Sequence, residues 1–318
     1  MEPKLFQVIV DALGNKERSA KVYANQIKRV YKQVYKKELT DPKLAFLRST
    51  KTVNYVKKIV NLTARKNAAT GMLMGAKTTK APDKWITKYR EIMMEADKDY
   101  QKFLASGKRK RPFDNAEREW GRISELHKKV AAEIQARRLF DLGSHITASE
   151  YKVVMAWLYL KWIVNLPPRR LEYADTRLIT KQEYNQLKEK TDNYVVMGKR
   201  AWTWNVHKYK TIGKYGPQIV PIPGPLKAAL NRVKPIVDAK NAKGYIFQNN
   251  KFRHFSRSQF SSFVKWIFKT YLGKNFTQNT IRSIKISSVW SPKQEDPLKL
   301  AMAMGHDVRT ALLHYNQN

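Results

Sequence analysis

The segment YKVVMAWLYLKWIV, residues 151 to 164, constrains the fold more than any other part of this 318-residue chain. Thr147 and Glu150 precede it in a Thr-x-x-Glu capping box, which marks the start of a helix. Pro167 and Pro168 end the helix, because proline lacks an amide hydrogen and clashes with the preceding turn. A helix that is apolar nearly all round has no face for water. We therefore predict a central helix in the core of the second half of the chain.

The spacing of apolar residues changes along the chain. Before residue 143 it is helical, with lysine-rich polar faces, and it becomes strand-like after a short helix that a second capping box opens at Thr180. We predict strands at NYVVM, WTWNVHKYKT and QIVPIP, with GYIF as a further candidate, and helices again after Ser258. The predicted fold class is mainly α with a small antiparallel β-sheet.

The length predicts two domains, since 318 residues with 42% hydrophobic content can bury sizeable cores. We predict a helical domain over residues 1–82, an additional helical segment or linker over 83–143, and a mixed α/β domain over 144–318. Short helices in the first domain are expected to break near Gly71 and Gly75, and ASGKRKRPFDN is the clearest linker sequence.

Basic residues dominate the charge: 62 Lys and Arg face 26 Asp and Glu, a formal net charge of +36. This excess predicts a polyanionic partner, and its density over the helices of the first half favours DNA phosphates. The basic run from Lys108 to Pro112 fits a nuclear-import signal as well as a phosphate-gripping linker. The candidate DNA-contacting residues are Lys21, Lys28, Arg29, Arg65, Lys66, Lys108, Arg109, Lys110 and Arg111.

Several kinds of chemistry are disfavoured. The chain has no cysteine, which excludes disulfides, thiolate zinc sites and a thiol nucleophile. It has no His-x-x-x-His pair and no Gly-rich phosphate loop, so we expect no metal and no cofactor. Glu95, Asp97 and Asp99 lie in a lysine-rich helix and are predicted to be its solvated face. Without a long apolar run or a signal peptide, we expect a soluble, intracellular protein with no membrane partner.

Five motifs with candidate catalytic side chains follow one another in the second half of the chain. They are Arg169 and Glu172 in PPRRLE, Lys210 before a turn, Arg282 in NTIR, His306 after a glycine, and Tyr315 nine positions later. This order resembles the catalytic domain of the tyrosine recombinases, the family of phage integrases and related mobile-element enzymes. The family's motifs are Arg-x-x-Glu or Asp, a hairpin Lys, His-x-x-Arg, and Leu-Gly-His with Tyr nine residues on. The PPRR form looks like the variant of large DNA viruses and their parasites, and the helices before residue 82 are similar to the family's core-binding domain.

The resemblance implies site-specific recombination or integration of DNA through a 3′-phosphotyrosine intermediate, without metal or ATP. Arg169 and Arg282 would bind the non-bridging phosphate oxygens through their planar donor forks. Lys210, carried on a strand before a hairpin turn, would protonate the departing 5′ oxygen. His306 would donate a hydrogen bond to the phosphate, and Tyr315 would be the nucleophile.

Two motif positions are ambiguous: the identity of the first catalytic arginine, and the residue three positions before the second arginine. Arg170 competes with Arg169, which is preferred because Glu172 then falls three residues on, where the family keeps an acid. Asn279 stands where the family usually has histidine, three residues before Arg282. A histidine there can accept the tyrosine's proton, whereas asparagine can only hydrogen-bond. Cleavage would therefore rely on water or on another residue as the base.

Lysine and histidine decoys also occur. Lys208 and Lys214 compete with Lys210, which is favoured by the threonine that follows it. His314 lies beside Tyr315 and is expected to be structural.

The resemblance implies double-stranded DNA as the partner and a homo-tetramer on paired sites, with a monomer when free. Three residues follow Tyr315, so the protomers are expected either to link through another element, such as the helices before Phe140, or to make a minimal contact through the tail. The expected location is with the DNA, in the nucleus, the cytoplasm or a viral factory. Two rival functions remain: a type IB topoisomerase-like relaxation of DNA, and a non-catalytic DNA-binding or packaging protein in which Asn279 is an early sign of decay.

Overall fold

The computed structural model describes residues 17–41, 43–105, 115–240, 243–249 and 251–289, together with residues 7 and 304. The chain forms two compact units, Met1–Arg109 and Lys110–Asn318. Its described part is mainly helical with a small four-stranded sheet, which confirms the predicted fold class at that level. Across the same ranges, none of the helices has both the length and the apolar character needed to cross a membrane.

Unit 1 is helical in its described residues. A hydrophobic core forms where its first, third and fourth helices pack, with Ile27, Met72 and Tyr89 among the buried side chains. The helices are α1 (Glu17–Tyr35), α2 (Thr50–Lys57), α3 (Leu62–Thr78) and α4 (Asp83–Ala105), with a 3-10 turn at Ala45–Arg48.

Gly71 and Gly75 lie inside α3, so the prediction that they break a helix was wrong. A Cβ atom on Gly71 would come within 2.7 Å of Gln26 Cβ, and one on Gly75 within 2.9 Å of Ile27 Cδ1. The two glycines therefore allow α1 to approach α3 closely. This packing outweighs the low helix propensity of glycine.

Unit 2 contains the sheet and the longer series of helices. Its described helices are α5 (Ala116–Ala136), α6 (Ala148–Asn165), α7 (Lys181–Gln186), α8 (Ile212–Tyr215), α9 (Gly224–Lys240), α10 (Arg257–Leu272) and α11 (Gln278–Val289). Its strands are β1 (Thr176–Thr180), β2 (Asn193–Met197), β3 (Trp202–Val206) and β4 (Gln218–Pro221). Helix α6 has the predicted Thr147–Glu150 capping box and is buried on nearly all sides, which confirms its central place in the core.

The sheet is mixed rather than antiparallel. Strand β1, which the sequence did not predict, pairs parallel with β2, whereas β2–β3 and β3–β4 are antiparallel. Residues 181–192, which include α7, return the chain so that two parallel strands can pair. The GYIF segment contributes only an isolated bridge, between Arg177 and Tyr245. Strand β3 ends at Val206, because the next amides, of His207 and Lys208, bond to the Asn193 side chain.

The boundary between the units also differs from the predicted one. Helix α4 packs into the core of unit 1 through Trp85, Tyr89 and Ile92, and α5 packs into the core of unit 2. Residues 83–143, predicted as a separate segment, are thus divided between the two units. On α4, Asp97 is partly exposed, as predicted for a solvated face, and it forms an ion pair there with Lys66 of α3.

Candidate functional site

Arg169 lies in the segment between α6 and β1, where the two prolines have ended the helix. It is only 1% exposed, and its backbone N–H donates to the Tyr173 hydroxyl at 2.8 Å. Its guanidinium carbon lies 5.6 Å from the centre of the Trp204 ring and 5.3 Å from that of Tyr209. Cation–π attraction of this kind stabilises a cation that has lost water. The first predicted catalytic arginine is therefore held inside unit 2 among aromatic rings.

Glu172 supplies negative charge to this buried cation. Glu172 is the first residue of the 3-10 turn Glu172–Asp175, and its side chain is buried. Burial lowers the pKa of the Arg169 guanidinium, and the Glu172 carboxylate acts in the opposite direction. Because arginine has a very high pKa, the group stays charged at neutral pH. Glu172 is thus the acid whose charge opposes the effect of burial on Arg169, and Arg170 is only half-buried.

Arg282 is the second predicted catalytic arginine, and it lies in α11. It is 2% exposed, and its Nη2 donates to the Met304 carbonyl oxygen at 3.0 Å. Its Nη1 lies 3.4 Å from Asn279 Oδ1, one helical turn earlier. Asn279 stands at the position where the tyrosine recombinases usually have histidine. It is exposed to solvent, and its side-chain oxygen is the atom that approaches Arg282.

Two buried residues connect the arginines. Gln278 donates from Nε2 to the Arg169 carbonyl oxygen and accepts a hydrogen bond from the Tyr159 hydroxyl of α6. Burial raises the pKa of Tyr173, and the positive charges of Arg169 and Arg282 both partly oppose that rise. Gln278 precedes Arg282 by one turn of α11, so its bond to the Arg169 carbonyl oxygen places the two arginine segments side by side. The structure brings the two predicted arginines into one site.

Lys210 is not on a strand, and that prediction was wrong. It is exposed in the turn after β3, between Val206 and the short helix α8. The residue before it, Tyr209, is buried against Arg169 and donates its hydroxyl to the Gly216 carbonyl oxygen at 2.5 Å. The turn that carries Lys210 is thereby packed against the first arginine.

The competing lysines have different surroundings. Lys208 Nζ lies 3.0 Å from Asp175 Oδ1 and 3.8 Å from Asp192 Oδ1, so its ammonium is engaged within the protein. Lys214 is exposed in α8 with its ammonium 5.2 Å from the Tyr215 ring centre. Lys208 and Lys210 are both exposed, and the ion pair of Lys208 with Asp175 favours Lys210 as the lysine that reaches a substrate.

Several predicted residues lie outside the described ranges. They are the basic-run residues Lys108, Arg109, Lys110 and Arg111, and the C-terminal residues His306, His314 and Tyr315. Met304, two positions before His306 in the sequence, is described and is fully buried against Arg282.

The DNA-contact candidates of unit 1 differ in how they are engaged. Lys21 and Arg29 are exposed on α1. Lys28 lies 3.5 Å from Glu38, and Arg65 donates from Nε to the Ile59 carbonyl oxygen at 2.7 Å. Lys66 pairs with Asp97 across α3 and α4. These last three bond to other residues of unit 1, and Lys21 and Arg29 stand out only by their exposure.

The residues that connect the site were not identified from the sequence. Tyr173 and Gln278 are neighbours of predicted motif residues, but nothing in their spacing marks them. Asn193 gave a signal that was overlooked, since it is a polar residue at the start of an otherwise apolar strand sequence. Asp175 gave a similar signal, since it is an acid two residues after the aromatic Tyr173. In the structure both side chains are buried.

Comparisons with known proteins add no family to these observations. No protein-family model, curated protein or solved structure matches the chain.

Proposed function

We propose that the protein is a tyrosine recombinase, a DNA strand-exchange enzyme that cleaves and rejoins double-stranded DNA through a 3′-phosphotyrosine intermediate. In this proposal unit 1 is the helical core-binding domain and unit 2 the catalytic domain. The observation that carries it is the pair of buried arginines, Arg169 and Arg282, connected through Gln278 and Tyr173. The turn of Lys210 packs against the first of them.

Two buried guanidinium groups in one site suit an anionic substrate. Bringing like charges together in a core costs free energy unless an anion compensates for them. Glu172 supplies one negative charge, and a phosphodiester would supply another. Each guanidinium can offer paired N–H donors to the non-bridging oxygens, whose charge grows as the phosphorus is attacked.

The remaining residues complete an in-line transfer. The Tyr315 oxygen attacks phosphorus, and the tyrosine O–P bond forms as the bond to the 5′ oxygen breaks. Lys210 donates a proton to that departing oxygen, and His306 donates a hydrogen bond to the phosphate. The tyrosine's proton passes to water or another base, because Asn279 cannot accept it. A 5′ hydroxyl then attacks the phosphotyrosine and restores a phosphodiester, so that no ATP is needed.

The charge supports DNA as the partner. A net charge of +36 favours a polyanion whose bound counterions are released on contact, and Lys21 and Arg29 are exposed for such contacts. A homo-tetramer on paired DNA sites belongs to the same proposal and rests on the family resemblance.

The first experiment traps the covalent intermediate. Duplexes selected for tight binding from a random pool would be nicked at successive positions. Cleavage near a nick then releases a short fragment, and because its 5′ hydroxyl is lost the protein stays covalently attached to the DNA. Wild-type protein is expected to form an adduct that survives a denaturing gel, in EDTA and without ATP. No adduct on a tightly bound duplex would refute the activity and leave a DNA-binding protein. Relaxation of supercoiled DNA without pairing of sites would favour a topoisomerase.

Lysine substitutions then test the arginine pair. Arg169→Lys and Arg282→Lys keep a positive charge but remove the planar fork, and each is expected to slow adduct formation about 10²–10³-fold while DNA binding persists. Arg170→Lys is the matched control and is expected to cleave at close to the wild-type rate. The reverse pattern, with Arg170→Lys slow and Arg169→Lys unaffected, would reassign the first arginine.

A further inference from the structure

Asn193, the first residue of β2, has a fully buried side chain that bonds to three other residues. Its Nδ2 donates to the Glu172 carbonyl oxygen at 2.9 Å and to the Lys208 carbonyl oxygen at 3.4 Å. Its Oδ1 accepts from the His207 amide at 2.9 Å and from the Lys208 amide at 2.8 Å. A side-chain amide has two N–H donors and an oxygen with two lone pairs. All of that capacity is used here.

These bonds connect two segments of the candidate active site. Glu172 ends the motif that begins with Arg169, and Lys208 lies two positions before Lys210. The last β2–β3 pair joins Tyr194 to Asn205, and beyond it the Asn193 oxygen takes the place of a strand partner for the amides of His207 and Lys208. One buried side chain thus sets the backbone of the lysine turn relative to the backbone of the arginine motif.

A second contact supports the same connection. Asp175, at the end of the turn that begins with Glu172, is 4% exposed. Its carboxylate lies 3.0 Å from Lys208 Nζ, 3.1 Å from Arg257 Nε and 3.3 Å from His254 Nε2. The Lys208 side chain is therefore fixed to the same turn that its backbone reaches through Asn193.

We propose that Asn193 is a positioning residue that holds Lys210 in place to protonate the departing 5′ oxygen, without itself contacting DNA. This role rests on the proposed strand-exchange function. A general acid must come within hydrogen-bond reach of the atom it protonates. Lys210 is exposed, and its ammonium is carried on a long flexible side chain. The anchored backbone of the turn therefore limits the positions that the ammonium can reach.

The leaving group of the substrate provides a specific test. In a DNA strand with sulfur in place of the scissile 5′ oxygen, the P–S bond breaks and a thiolate departs, which needs no proton. A defect in general acid catalysis is then bypassed, whereas a defect in stabilising the phosphate is not. We expect Asn193→Ala to slow single-turnover cleavage of ordinary DNA about 10²-fold, the cost of a misplaced catalytic group. On the sulfur substrate, Asn193→Ala and Lys210→Ala should both approach the wild-type rate, while Arg169→Lys stays slow on both.

Two further variants separate positioning from a general loss of structure. Asn205→Ala is the matched control: Asn205 is also buried, on β3, and its side-chain oxygen accepts no hydrogen bond within the described chain. It should leave the ratio of rates on the two substrates unchanged. The double variant Asn193→Ala/Lys210→Ala should cleave ordinary DNA no more slowly than Lys210→Ala alone, because the two changes remove one function.

The outcomes are distinct. Asn193→Ala that is equally slow on both substrates, or that multiplies the defect of Lys210→Ala, would overturn the positioning role and leave strand exchange intact. Asn193→Ala at the wild-type rate on ordinary DNA would do the same. A wild-type protein that cleaves neither substrate would instead overturn the proposed function, and the positioning role with it.

Discussion

Removal of the Gln278 side chain should destabilise unit 2 and separate the two arginines. The side chain is 3% exposed, and Gln278→Ala removes its bonds to the Arg169 carbonyl and the Tyr159 hydroxyl. A buried polar group that loses its partner costs about 1–3 kcal/mol. With two such groups, the expected loss in the free energy of unfolding is about 2–6 kcal/mol.

A double-mutant cycle makes this expectation specific. Tyr159→Phe removes the hydroxyl and leaves the Gln278 oxygen without its donor, at a cost of about 1–3 kcal/mol. In the double variant neither member of that bond remains, so its loss should be smaller than the sum of the single losses by about 0.5–3 kcal/mol. Calorimetry of the full chain measures this, with about 2–4 °C of midpoint shift per kcal/mol for a unit of this size.

Cleavage gives the second measurement on the same variants. Gln278→Ala should slow adduct formation more than it weakens DNA binding, since α11 carries Arg282 and loses its link to the segment of Arg169. Tyr159→Phe should affect stability with little effect on cleavage. Additive losses of stability, or normal cleavage by Gln278→Ala, would refute the reasoning that this residue joins the arginines.

Three other outcomes follow from particular contacts. Gly71→Ala should destabilise unit 1 by about 1–3 kcal/mol, because its Cβ would lie 2.7 Å from a side-chain carbon of α1, whereas Gly121→Ala, with open space around it, should stabilise by about 0.5–1 kcal/mol; equal effects in thermal unfolding would contradict the close approach. Burial acts to raise the pKa of Asp175, but the hydrogen bonds and charges of Lys208 and Arg257 together outweigh burial and hold that pKa below its ordinary value. The carboxylate therefore adds stability above about pH 4, and this stability is lost as the pH falls through the lowered pKa. The difference in melting temperature between wild type and Asp175→Asn should accordingly become smaller in acid. A difference that stays constant from about pH 3 to pH 7 would count against the ion pairs. Asn279→His supplies a proton acceptor at an exposed position and should raise the single-turnover cleavage rate about tenfold or more near neutral pH, while an unchanged rate would place the base elsewhere.

The parts of the fold that the sequence predicted are governed by local rules. The capping box at Thr147 sets the start of α6 and the prolines after Leu166 set its end, and the apolar sequence between them requires burial. The burial of Arg169 beside Glu172 followed from a short motif. In each case the deciding residues are close together in the chain.

The parts that were missed depend on residues far apart in the chain. Gly71 reads as a helix breaker until α1 is seen to pack against it. Parallel pairing of β1 with β2 depends on a crossover, which alternation of apolar residues does not reveal. The bonds of Asn193 to Glu172 and Lys208 likewise join three separate segments, so no spacing rule indicates them.

The most direct test of the central claim is the chemical identity of the protein–DNA linkage. An adduct formed on a selected duplex, labelled at either end of the cleaved strand, would be digested with protease and sequenced by mass spectrometry. Strand exchange through Tyr315 predicts that the adduct carries the 5′-labelled fragment, joined through its 3′ phosphate to the peptide containing Tyr315, and that Tyr315→Phe forms none. A linkage to the 3′-labelled fragment or to another residue, or an undiminished adduct in Tyr315→Phe, would contradict it.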